Sequence, residues 1–140
     1  MRKTLLGIIL LLVAIGCVER VYGGQTGFGV GGGQWFGSRA EGKIGVCQLG
    51  DNWLSMVAWQ SLDGRDVLGV GVAQLLPGEK FRPLISAAVS QDIRSGRAWE
   101  YLGVGLLWSG GRDWAVKLEL VAELETGRTG LFVSQILFLQ

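Results

Sequence analysis

The chain contains no histidine. That excludes imidazole general-base catalysis, histidine-ligated metal sites and a Ser–His–Asp triad within it. Neither cysteine can enter a Cys–His pair, and cysteine is itself scarce, with only Cys17 and Cys47. Neither sign of charge is in excess, at 13 basic against 12 acidic residues. Nothing in the balance therefore points to nucleic acid or to a polybasic contact with lipid. Proline is rare, with two residues, and there is no long apolar run in the body of the chain. The one sustained apolar stretch, Leu5 to Cys17, falls short of the about 20 residues a spanning helix needs.

That stretch has the layout of an export signal. Arg2 and Lys3 precede it, and Val21-Tyr22-Gly23 places small or modest residues at the −3 and −1 positions of a peptidase site. The expectation is a signal peptide over residues 1–23, cut after Gly23, and one domain over residues 24–140. Ala14-Ile15-Gly16-Cys17 loosely matches a lipobox, with Cys17 as the lipidated residue, but the usual Leu three positions before the cysteine is missing. The simpler reading discards Cys17 with the signal. Cleavage removes Arg2, Lys3, Arg20 and Glu19, leaving 10 basic and 11 acidic residues, a net charge of −1. Cys47 is then alone, so no intramolecular disulfide is expected, and a lone thiol on an oxidising export route is best kept buried or in lipid.

What is abundant is glycine, with 24 residues, and much of it is punctuation. Seven turn signals cut residues 26–140 into eight short segments, each turn carrying Gly, usually beside Asp, Ser or Pro. The segments are Gly27–Phe36, Glu41–Leu49, Trp53–Leu62, Val67–Leu76, Pro83–Asp92, Trp99–Trp108, Trp114–Glu125 and Gly130–Phe138. Residues 114–124 alternate strictly, with Trp114, Val116, Leu118, Leu120, Ala122 and Leu124 on one face, so period two outweighs any helical reading. Eight antiparallel strands joined by seven tight turns predict an all-β, up-and-down meander closed into a small barrel. Each strand is about ten residues, the length a tilted strand needs to cross a bilayer.

The glycines inside strands indicate which face is inside. Gly27, Gly29, Gly31 and Gly33 oppose Phe28 and Val30; Gly69, Gly71 and Ala73 oppose Leu68, Val70 and Val72; Gly103 and Gly105 oppose Leu102, Val104 and Leu106. Large aliphatics share one face and missing side chains the other. A soluble core needs volume on its inner face to reach native packing density. A narrow barrel with a polar lumen needs small inner residues that leave room for charges, and bulky aliphatics facing lipid. The expected lumen charges are Glu41, Lys43, Asp92, Lys117, Glu119 and Glu123. Trp35, Phe36, Trp53, Trp99, Trp108 and Trp114 fall near strand ends, where an interfacial aromatic girdle would sit. The third and eighth strands are ambiguous, because neither face of either is clearly polar.

With these features the chain resembles the small eight-stranded outer-membrane barrels of Gram-negative bacteria, of the OmpX and OmpA transmembrane-domain kind. The likeness is most evident where Tyr101-Leu102-Gly103-Val104-Gly105-Leu106-Leu107 leads through a short turn into Trp114-Ala115-Val116-Lys117-Leu118-Glu119. It implies an outer-membrane location and outer-membrane lipid as the surroundings. Two features depart from that family. Its chains usually end on an aromatic residue, whereas this one reads Phe138-Leu139-Gln140. Its outer loops tend to be long, whereas the corresponding turns near Ser38, Gly64, Ser95 and Gly127 are short.

No cofactor, metal or catalytic constellation is expected. Gly29-Val30-Gly31-Gly32-Gly33 lacks the Lys-Ser/Thr and the strand–loop–helix context of a phosphate cradle. The lumen charges read as a paired network that fills the barrel, and an eight-stranded lumen is too narrow for a wide channel. The expected role is structural or surface-interacting, with the barrel exterior and the outer turns as the surfaces open to protein partners. The alternative is a secreted soluble barrel of lipocalin or avidin type, holding a small apolar ligand with its Leu/Val faces inward. A membrane-embedded enzyme acting on lipid is weakly supported.

Overall fold

The computed structural model describes residues 25–36, 40–62 and 65–139. The expected signal peptide, Cys17 and the turn positions Ser38 and Gly64 lie outside the described residues. Eight strands follow one another: β1 Gln25–Trp35, β2 Ala40–Leu49, β3 Trp53–Leu62, β4 Arg65–Leu75, β5 Phe81–Asp92, β6 Ala98–Ser109, β7 Trp114–Glu123 and β8 Thr129–Phe138. Each pairs antiparallel with its sequence neighbour. β1 also pairs with β8, Gly27 opposite Phe138 and Trp35 opposite Gly130, which closes the sheet into a barrel with no free edge. Among the described residues there is no helix.

The strands match the sequence expectation to within two residues at each end. The largest differences have a local cause. β7 stops at Glu123 because Leu124 and Glu125 enter a hairpin closed by Glu123 N–H donating to Arg128 O, 2.8 Å. The turn between β5 and β6 is built identically. Asp92 N–H donates to Arg97 O at 2.8 Å, and Gly96 N–H donates to Asp92 O at 2.9 Å, as Gly127 N–H does to Glu123 O. Gly96 and Gly127 both adopt φ +71°, a left-handed conformation costly for other residues. Both turns therefore spell acid-x-x-Ser/Thr-Gly-Arg, and in both the Arg N–H donates to the hydroxyl, at 3.3 Å.

Alternation places one face of every strand inside. The ambiguous β3 turns Leu54, Met56 and Ala58 inward and Val57 and Trp59 outward; β8 turns Phe132, Ser134, Ile136 and Phe138 inward and Leu131, Val133 and Leu137 outward. Glycines of β1 decide the second case. A Cβ on Gly27 would come within 2.9 Å of Phe138 Cδ1, and one on Gly33 would overlap the Phe132 ring. The aromatic rings of β8 occupy space that the glycines vacate.

The outer surface is apolar around the barrel. Phe28, Val30, Ile44, Val46, Val57, Leu68, Ile85, Leu102, Val104, Leu118, Leu120, Val133 and Leu137 are all exposed, with Val104 at 56%. Trp53, Phe81, Trp108 and Trp114 gather towards the end of the barrel that carries the described chain termini. There Trp108 stacks on Phe81 with centroids 6.2 Å apart and meets Trp114 edge-on at 5.2 Å. Phe36 is exposed at the opposite end. Trp35's side chain lies outside the described residues. Trp99 departs from the girdle expectation. It opens β6 on the inward face, is 5% exposed, and carries the Arg97 guanidinium 5.3 Å from its ring centroid. Its odd position on β6, shared with Tyr101 and Gly103, sends it into the lumen.

Candidate functional site

The lumen has three levels. At the end near the termini, Cys47, Leu54, Met56, Ala73, Leu75, Leu84, Leu107, Ala115, Ile136 and Phe138 form one buried apolar cluster. Leu84, Leu107 and Ile136 are among the largest fully buried side chains. Arg82 ties the turns below this cluster together, its Nη2 donating to Asp51 O at 2.6 Å and its Nε to Leu76 O at 3.3 Å. At the opposite end a smaller cluster of Val67, Trp99, Tyr101 and Phe132 forms, with Ala88 and Val121 packed against it.

Between them lies the polar level. Lys117 and Glu119 sit two apart on β7, so both point inward, and Lys117 Nζ lies 2.5 Å from Glu119 Oε1. The other carboxylate oxygen accepts from Ser86 Oγ at 2.5 Å. Ser86 belongs to β5, and β6 intervenes. The reach is possible because the intervening inward residues are glycines, with Ser86 opposite Gly103 and Glu119 opposite Gly105. A Cβ on Gly103 would stand 2.5 Å from Ser86 Oγ and 3.2 Å from Glu119 Oε2. Lys43 enters from β2, with Lys117 and Glu119 as its charged neighbours. A cavity of about 90 Å³ opens beside this group, between the apolar clusters. Its polar lining includes Lys43, Gln60, Ser86, Ser90, Lys117 and Glu119.

The expected charge network is thus divided. Lys43, Lys117 and Glu119 meet at mid-lumen. Glu123 is 1% exposed and turns to its own hairpin, where Oε2 accepts from Thr126 Oγ1 at 2.9 Å and pairs with Arg128 Nε at 3.0 Å. Asp92 is also buried, but its Oδ1 accepts from the backbone N–H groups of Arg94 and Ser95, at 2.8 and 3.2 Å. Both acids therefore hold rim turns instead of facing the lysines. Glu41 takes the register position opposite Gly33 on β1; its side chain lies outside the described residues. Sequence reasoning did not single out Ser86, Ser90, Gln60 or Arg128. The repeated turn spacing was the available signal for Arg128. Ser86 lies far from Glu119 in sequence and carried none.

Chemically, the mid-lumen group is a short ion pair with a hydroxyl donor, beside the cavity. No group of three or more metal-ligating side chains exists among the described residues.

No protein-family model and no curated protein matches the chain. Solved structures do. The N-terminal β-barrel domain of Pseudomonas aeruginosa OprF is similar at 15% identity and TM-score 0.66, over 83% of this chain and 99% of that one. The solution NMR structure of the de novo designed TMB2.3 is similar at 12% identity and TM-score 0.72, over 84% of this chain and 95% of that one. A second structure, from the de novo design of transmembrane β-barrels, gives 13% identity and TM-score 0.71, over 83% and 96%. At these identities the likeness is one of fold, a closed eight-stranded antiparallel barrel.

Proposed function

We propose that the chain is a bacterial outer-membrane barrel with a structural or surface-interaction role, bathed by lipid and closed to bulk flow. The observation that carries this reading is the inversion of its two faces. Leu118 and Leu120 are 43% and 44% exposed, while Lys117 and Glu119, alternating with them on the same strand, are each 6% exposed. Water outside the barrel would penalise that arrangement twice, by wetting the aliphatics and by burying the charges. Hydrocarbon outside removes the first penalty. The apolar cluster near the termini supports a closed lumen, since Leu84, Leu107 and Ile136 occupy the bore where a channel would need water.

The soluble alternative needs an apolar, roomy interior for a ligand. The interior cavity measures only about 90 Å³ and is edged by two lysines and a glutamate, which suits no sizeable apolar guest. Export through the periplasm after cleavage at Gly23 belongs to the same proposal, as does the absence of enzymatic chemistry.

The test is fractionation of cells expressing the full-length chain, with unheated and boiled samples compared by gel mobility. Recovery in detergent-extracted outer membranes with a heat-dependent mobility shift is expected. Recovery as soluble periplasmic protein without detergent would sink the proposal.

A further inference from the structure

Among the described residues, charge at mid-lumen does not balance. Lys43 and Lys117 face a single described carboxylate there, Glu119. That carboxylate pairs with Lys117 through Oε1 and accepts from Ser86 through Oε2. The other buried acids are held at the rim. Glu123 Oε2 accepts from Thr126 and pairs with Arg128, and Asp92 Oδ1 accepts from the turn backbone. Among the described residues, no side chain forms an ion pair or hydrogen bond with Lys43. An ammonium taken out of bulk water is costly unless a counter-charge and hydrogen-bond acceptors meet it. The cavity lies where such a counter-charge would sit. It borders both lysines, and the hydroxyls of Ser86 and Ser90 and the amide of Gln60 line its wall. Ser90 and Gln60 supply donors, the Ser86 hydroxyl already donating to Glu119, and the space is apolar on its remaining sides at Leu54, Met56 and Ala73.

We propose that this cavity binds one small monovalent anion, held between Lys43 and Lys117 with hydroxyl and amide donors completing its shell. The volume, about 90 Å³, accommodates a hydrated halide or a small carboxylate. Glu119 competes with the guest for Lys117, so the site holds one negative charge and rejects a second. The site depends only on the lumen and does not require the outer face to contact lipid. Its failure would leave the membrane proposal standing, and the reverse also holds.

Bromide is the probe. The full-length barrel, folded in an uncharged detergent, is titrated at constant ionic strength with gluconate as the balancing anion, and the bromide NMR line width is followed. A saturable broadening is expected from the wild-type protein. Lys43→Met should weaken that binding about tenfold or more, the effect of losing one charge-assisted hydrogen bond. Arg94→Gln, on an exposed turn, should leave it unchanged, and Glu119→Gln should tighten it. Equal broadening by Lys43→Met and wild type would overturn the proposal. So would the absence of any saturable component, which would mean that Glu41 or water satisfies Lys43. If Lys43→Met does not fold, crystals of the wild-type barrel soaked in bromide decide the matter. An anomalous peak within hydrogen-bond reach of Lys43 Nζ is expected, and its absence is fatal.

Discussion

The two halves of the lumen solve the same problem in opposite ways. Near the termini, Leu84, Leu107, Ile136 and Phe138 fill the bore with volume, and the stabilisation is area removed from water, without directional demands. At mid-lumen, Gly69, Gly71, Gly103 and Gly105 withdraw volume, and Lys117, Glu119 and Ser86 fill part of what is left with directed bonds. β7 crosses from one regime to the other between Ala115 and Lys117. The apolar half tolerates change in proportion to the volume lost. The polar half tolerates the removal of the whole charged group but not of one partner.

The largest effect expected from breaking this contrast is therefore at the ion pair. Lys117→Met alone strands Glu119 as a buried charge and should cost about 3–5 kcal/mol, read from urea unfolding in lipid vesicles. Replacing all three neighbouring charges, Lys43→Met with Lys117→Met and Glu119→Leu, should be close to neutral or stabilising by the same assay. If the triple variant is as unstable as the single one, the group contributes more than mutual neutralisation. In the apolar half, Leu107→Ala should cost about 2–5 kcal/mol through lost contacts and a residual void, with no partner able to rescue it.

The outer face sharpens the comparison from the other side. Val104 is exposed at mid-strand between Ile85 and Leu120. Val104→Arg should destabilise the barrel by about 2–4 kcal/mol in a bilayer. In water a surface substitution of this kind would stay within about 0.5 kcal/mol, so a neutral result would remove lipid from the account. The smallest effect belongs to the rim. Gly96→Ala forces a left-handed conformation on a residue with a Cβ and should cost about 1 kcal/mol, seen as a modest drop in the unfolding midpoint. The same change at Gly127 should match it, since both turns have φ +71°.

Much of this was legible in the sequence because the carriers are local. Turn residues punctuate the chain at strand-length intervals, and alternation on β7 separates Lys117 and Glu119 from Leu118 and Leu120 without reference to any other strand. The small-against-large division on β1, β4 and β6 likewise indicates the inner face. Trp99 lies near a turn yet faces inward, because proximity to a turn says nothing of parity. One residue's shift would have put it outside. Asp92 and Glu123 were grouped with the lysines because their side chains share the inward face. Height along the barrel, which separates them, depends on how neighbouring strands are staggered.

The sequence by itself determined the number of strands, their turns and the inward direction of Lys43, Lys117, Glu119 and Glu123, since period-two patterning and turn chemistry act over a few residues. Only the tertiary structure decided which face of β3 and β8 is buried, that Ser86 reaches Glu119 across two glycines, and that Lys43 borders a cavity without an ion pair or hydrogen bond to any described side chain. Those outcomes depend on inter-strand register and on the space that distant residues leave empty. Neither is written in any one strand.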